Sequence, residues 1–453
     1  MSASTRLQGR IVGPLDKRRR MTRCLGVKED FHVFIAFDKT RYDFGGGHRR
    51  SDQSSMVIQD RHGSGIHPLA FIGKDRGTCL LDCFVSFIEQ NMFTMSFSSI
   101  IPDLLPLIST SPVLYNAVIA VGALDANRHA GGRALQGEKS PYVDAMTSYH
   151  KSMGILRSCL GNINVMQKED VLWATFFLGL FELLSDDSGE GWVKHMLYGT
   201  SKMLQLVGPS DCMSSARRIF YDLFRVLEAS RALLYNEETI LSQDCWLGLQ
   251  QSLSSNTTRW DPMQEIITLM IEISAFSLRA GAIIDMIPEA ERFTDPSVAL
   301  IAAEGLDLQE TIYNWHTKTL LHLVQDDPNQ HSNLALVYYH ALLIFLSGNY
   351  DYFAYWDNIP APVLSPAEIS EHLTTILYLS GEVLRNSKIP GVMLFFPVTV
   401  AGARAWTTDQ QSEILNLLNL VFRKGFVVAN KIRDGLLERW AERDRKEKMH
   451  LAT

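Results

Sequence analysis

Cysteine is scarce in this chain, with 6 in 453 residues, at positions 24, 79, 83, 159, 212 and 245. A scaffold held by disulfides needs a much denser supply in a much shorter chain. The opening residues carry no apolar stretch of the secretory type, so the thiols are expected to be reduced, in cytosol or nucleus. No uninterrupted apolar run reaches the roughly 20 residues that cross a bilayer. Val171 to Leu184 comes closest, and Glu182 sits inside it. The expectation there is a buried core helix and no membrane. Glycine and proline, 30 and 16 residues, are far too few for collagen. A composition of 46% hydrophobic and 21% charged residues excludes disorder as the dominant state. The length suits two or three packed units.

Catalytic signatures are missing too. No G-x-x-x-x-G-K-[ST] phosphate loop, H-E-x-x-H or G-x-S-x-G occurs. Asp43-Phe44-Gly45 spells a kinase triplet, but its glycine-rich and H-R-D loops are absent, so the match is chance. Among the cysteines only Cys79 and Cys83 are close, and His62 and His67 lie upstream. A structural zinc site needs four nitrogen or sulfur ligands, so two ordinary core thiols are expected and no metal. No catalytic residue and no cofactor are expected.

What the chain does have is an uneven charge. Residues 1–78 hold 15 Lys/Arg against 8 Asp/Glu, a net +7, and the remaining 28 basic and 42 acidic residues leave −14. Within this Gly-, Ser- and Arg-rich arm the sharpest cluster is Lys17, Arg18, Arg19 and Arg20. Such a run serves nuclear import or phosphate contact, or is a solvated tail. One apolar patch, Phe31 to Phe37, alternates loosely like a strand. Residues 1–78 read as a poorly ordered arm and 79–453 as a helical domain.

From Leu80 onward the apolar residues fall at helical spacings. Five sites put a capping side chain before a proline: Ser111-Pro112, Ser140-Pro141, Asp261-Pro262, Asp295-Pro296 and Ser365-Pro366. The cap oxygen accepts an orphan backbone N–H, and proline at the first helical position has no N–H to lose. Gln264 and Glu368 stand where a capping box places its second residue. Gly208-Pro209, Pro288 and Pro390 read as stops. An all-α, multi-helix domain follows, with helices starting near each of those five prolines.

Two segments stand out. Glu182 interrupts a strongly apolar helix, and Trp192, Met196, Gly199, Met203 and Leu206 form one face of the next, with His195 beside it. A buried Glu182–His195 hydrogen bond would tie that hairpin together, or would sense a ligand; a satisfied structural pair is the simpler reading. The other segment is Met393 to Gly402, where Pro397 should kink or start a helix and Gly402 allows close helix contact. Such a segment lines a pocket or packs a core.

In this order, several pieces resemble the helical regulatory domain of fungal zinc-cluster transcription factors. They are Ser111-Pro112-Val113-Leu114 with the helix to Ala126; Glu182 with Trp192 to Met196, Tyr198-Gly199 and Leu204; Phe396-Pro397-Val398 through Ala401-Gly402; and Leu436 to Trp440. The resemblance spans about residues 80–445. It implies a non-enzymatic nuclear regulator of transcription of metabolic genes, often in secondary metabolism, whose helical domain regulates or dimerises. The implied partners are the transcription machinery or a DNA-binding protein, a second copy of the chain, and DNA only weakly and without sequence preference. A degenerate helical scaffold, a small-molecule sensor and a helical enzyme with a pocket near Pro397 are the rival readings. The resemblance breaks at the N-terminus. The family reads DNA with six cysteines in two C-x2-C-x6-C arms, and here only Cys24 precedes Cys79. Either the protein works without its own DNA-reading module, or the gene's 5′ end is incomplete in this sequence.

Overall fold

The structure, a computed structural model, describes residues 75–129, 140–159, 163–194, 199–213, 215–255, 260–325, 330–351 and 353–451. The expectations for residues 1–74 of the arm and for Phe31 to Phe37 lie outside these residues; the helical part begins slightly earlier than expected, since Arg76 to Thr78 belong to the first helix. Among the described residues there is no strand. The first helices are α1 (Arg76–Gln90), α2 (Ile101–Thr110), α3 (Pro112–His129), α4 (Pro141–Cys159), α5 (Ile163–Met166) and α6 (Glu169–Ser185). Then come α7 (Glu190–Lys194), α8 (Ser201–Val207), α9 (Ser215–Tyr235), α10 (Asp244–Ser255), α11 (Pro262–Met286) and α12 (Pro296–Gln325). The chain closes with α13 (Gln330–Gly348), α14 (Pro366–Asn386), α15 (Phe395–Arg404), α16 (Thr408–Arg423) and α17 (Ala429–Leu451).

All five cap-proline signals start helices, at α3, α4, α11, α12 and α14. The Ser365 box is complete. Glu368 N donates to Ser365 Oγ at 3.2 Å, and Ser365 N donates to the Glu368 carboxylate at 2.7 Å. At α11 the box is half made. Asp261 accepts the Met263 N–H at 2.9 Å, but Gln264 turns away and accepts a hydrogen bond from buried Arg225. Charge-assisted bonding to a buried guanidinium is the stronger claim on that amide. An unforeseen box, Thr407 with Gln410, opens α16. Of the helix expected to begin near Gly191-Trp192 and end at Gly208, the described parts are helical, as α7 and α8, and residues 195–198 lie outside the described set. Gly208 ends α8 at φ +82°, a value glycine adopts without steric cost.

Packing follows from α6. Every residue from Val171 to Phe181 is buried, so the helix is apolar on all faces and needs cover on each. Helices α3 and α4 lie against it, and α1 packs against α3. Its rings knit the surrounding helices. Phe177 meets Phe84 of α1 edge-on at 5.0 Å, and Trp173 meets Phe220 of α9 edge-on at 4.9 Å. Such pairs add about 0.5–1.5 kcal/mol each beyond area burial. From α9 the core continues through α11, α13 and α15, with α12 and α14 flanking α13 and α16–α17 closing over α15. By length and composition α11 is apolar enough to cross a membrane, as is the bent pair 97–110 and 112–129 taken together. Of the α11 window, 56% is buried among other helices.

The α1–α3 contact depends on Gly122. A Cβ there would overlap the Leu80 carbonyl and come within 3.0 Å of the Phe84 nitrogen. Both obstacles are backbone and cannot swing aside. Gly122→Ala should therefore destabilise the fold by roughly 1–3 kcal/mol, despite the gain in helix propensity. Gly154 of α4 has nothing within 4 Å of its ideal Cβ, so Gly154→Ala should stabilise by roughly 0.5–1 kcal/mol. Urea unfolding of both variants checks the pair; equal effects would contradict the close-packing account.

Candidate functional site

Lys17, Arg18, Arg19 and Arg20 lie outside the described residues, and so does His195. The Glu182–His195 pairing stays an expectation. What the structure does show is a different partner. Tyr149 of α4 donates its hydroxyl to Glu182, and its ring stacks on Phe181 with centroids 4.5 Å apart. Burial first, then the bond to Glu182, pushes the Tyr149 hydroxyl well above the usual tyrosine range. A Cβ on Gly191 would overlap the Glu182 carboxylate, so a glycine at the start of α7 lets the side chain lie against backbone. Trp192, the next residue, is buried. Glu182 and Trp192 thus hold α4, α6 and α7 in one corner.

Pro397 sits in the first turn of α15, where a missing N–H leaves no helical bond unmade, so it starts the helix without kinking it. Its neighbours Phe395, Phe396, Val398, Val400, Ala401 and Gly402 are all buried. A Cβ on Gly402 would collide with Leu436 of α17, and Trp440 donates its indole N–H to the Gly402 carbonyl at 2.9 Å. The close helix contact expected at Gly402 is there, made by the closing helix.

Cys79 is buried and Cys83 half-buried on α1, and burial pushes the Cys83 thiol up to about 11, against the thiolate that zinc requires. Among the described residues no group of three or more His, Cys, Asp or Glu side chains is arranged to hold a metal ion.

Sequence reasoning missed a cluster of rings across α12, α13 and α14. His316 stacks on Tyr339 at 4.1 Å, and His340 Nδ1 lies 2.7 Å from His372 Nδ1. One of those two nitrogens donates and the other accepts, so the contact holds only while the pair carries at most one proton beyond neutrality. Burial, then the neighbouring His372 and His316, pushes His340 down to about 3. Burial also lowers His372 and His316. Nothing in Trp315-His316, Tyr339-His340 or Glu371-His372 marks them in the sequence; only the packing of three helices brings them together.

Elsewhere buried charged groups find partners within a helix, in the following turn or on another helix. Arg231 forks onto Glu228 at 2.8 and 2.9 Å and reaches Glu237 at 2.8 Å. Arg404 holds Asp351 at 2.8 Å, joining α15 to the turn after α13. Arg225 is fully buried and takes neutral partners, Gln264 and, at 3.1 Å, Thr268.

The histidines give the fold an acid-sensitive seam. A histidine kept neutral when folded contributes stability that is full above its unfolded pKa of ~6.5 and is lost as pH falls toward the folded value. Stability should fall below about pH 6.5, with His340 alone contributing a slope of about 1.4 kcal/mol per pH unit. Unfolding of the native chain and of His340→Asn between pH 7 and 5 tests this. The variant should show the shallower slope, and identical slopes would contradict the assignment.

Comparison with known proteins gives the family. The fungal specific transcription factor domain matches residues 80–451. The chain is also 22% identical over 139 residues to an uncharacterized protein of Emericella nidulans, a match covering 31% of this chain and 29% of that protein. No solved structure matches. With the family match extending over all the helices from α2 to α17 and most of α1, the chain belongs to the fungal specific transcription factor domain family.

Proposed function

We propose that this protein is a nuclear, non-enzymatic regulator or co-regulator of transcription of fungal metabolic genes, with a secondary-metabolite gene cluster as the target class. It acts through the faces of its helices, which contact the transcription machinery, a DNA-binding partner or a second copy of the chain. The single observation that carries this reading is the family match over residues 80–451. One feature of the chain supports the role given to partners: the −14 charge of residues 79–453 repels a polyanion. The Lys17–Arg20 run serves nuclear import and, secondarily, phosphate contact.

Binding of the purified chain to candidate promoters and to scrambled duplexes, at about 50 and about 200 mM salt, tests the DNA part. Weak binding that falls steeply with salt and ignores sequence is expected. A preference of about a thousandfold or more for one sequence would show direct base reading and overturn the partner requirement. Replacing Lys17, Arg18, Arg19 and Arg20 by alanine should shift a fluorescently tagged chain out of the nucleus. Unchanged nuclear accumulation would remove the import role from that run.

A further inference from the structure

The long helix α12 presents a seam that matches itself. Its inner face, with Val298, Ile301, Ala302, Ile312, Trp315 and Thr319, is buried. Opposite lies a strip at alternating spacings of three and four: Leu300, Ala303, Asp307, Glu310, Asn314, Thr317, Leu321 and Val324. All eight are exposed. This is the a/d spacing by which helices pair along a seam, sustained over about 36 Å of helix. Its chemistry is apolar at both ends and polar in the middle. Leu300 is 70%, Leu321 62% and Val324 87% exposed, values that mark large aliphatic side chains left in water.

We propose that this seam is a homodimer interface in which α12 pairs antiparallel with α12 of a second copy, about a two-fold axis at Ile312. Under that axis Leu300 meets Val324 of the second copy and Ala303 meets Leu321. Asp307 meets Thr317, and Glu310 meets Asn314. Every a position then faces a d position, as an antiparallel pair requires, and apolar faces apolar while each carboxylate faces a hydrogen-bond donor. A parallel pairing would set Asp307 directly against Asp307 and Glu310 directly against Glu310, and is disfavoured by that repulsion; the antiparallel seam holds the same carboxylates with none directly opposite another. The two-fold match is what selects a second copy as the occupant: the strip supplies its own complement end for end, as an isologous interface must.

The interface rests on the part of the proposed function that gives helix faces to partners, and its test reads mass and register, independent of DNA or gene expression. Sedimentation of the full-length chain at micromolar concentrations should give a dimer. Leu321→Asp with Val324→Asp puts carboxylates against apolar side chains at both ends and should weaken association by about a hundredfold or more. Both residues point into solvent, so helical circular dichroism should be unchanged. Register is read by disulfide capture. Ala303→Cys chains mixed with Leu321→Cys chains should cross-link under mild oxidation, beyond the level of the native cysteines. Ala303→Cys alone should not, because the two copies of residue 303 lie about 27 Å apart along the seam. A monomer at all concentrations, which would leave the strip to a partner of another sequence, overturns the proposal. So does a dimer untouched by the double substitution, or one that captures 303 to 303.

Discussion

An all-apolar helix in the interior is the constraint that organises this protein. Helix α6 has no face that tolerates water from Val171 to Phe181, so its surroundings have to supply cover in every direction. Helices α3 and α4 cover two sides, and rings from α1 and α9 close others through Phe84 and Phe220. Cover at this density leaves no room for a side chain at Gly122, where α3 meets the α1 backbone. The charged break in that run, Glu182, falls where α6 nears its end, and there Tyr149 supplies the hydrogen bond that a half-buried carboxylate needs.

Polar groups inside the rest of the core fix helix ends and the turns beside them. Arg231 with Glu228 and Glu237 fixes the end of α9 and the turn after it, and Arg404 with Asp351 ties α15 to the end of α13. Removing one partner from such a pair strands a buried charge, so the pairs hold the helices to one arrangement more than they add to net stability. Arg225 is held by neutral acceptors, and burial lowers its affinity for its proton. The histidine contact between α13 and α14 differs from these pairs because it titrates near neutral pH in the unfolded chain. It makes that part of the bundle sensitive to acid.

Much of the architecture was legible because its signals are local. A capping side chain before a proline acts within one turn of helix, so all five starts were readable without knowledge of packing. Gly402 was readable as a contact glycine, although its partner Leu436 was not. The failures share one cause. Gln264 fits a capping box by sequence, but Arg225, 39 residues earlier, takes its amide oxygen. Tyr149 and Glu182 are 33 residues apart, and His340 and His372 are 32 apart. Partners at such separations are chosen by helix packing, which leaves no periodicity in the sequence. The α12 strip was hidden for another reason: its spacing is helical on every side, and only burial of the inner face reveals which side is left open.

On the proposed function, this protein is brought to its site of action by a partner. The most direct test of the regulatory role is to bring it there. The full-length chain, fused to an unrelated DNA-binding module and expressed in a filamentous fungus, should change transcription from a reporter carrying that module's sites. Leu183→Asp, which puts a charge into the packed interior of α6, should abolish the change together with the fold. A folded, nuclear fusion that occupies the sites and leaves reporter output at the level of the module alone would contradict the account.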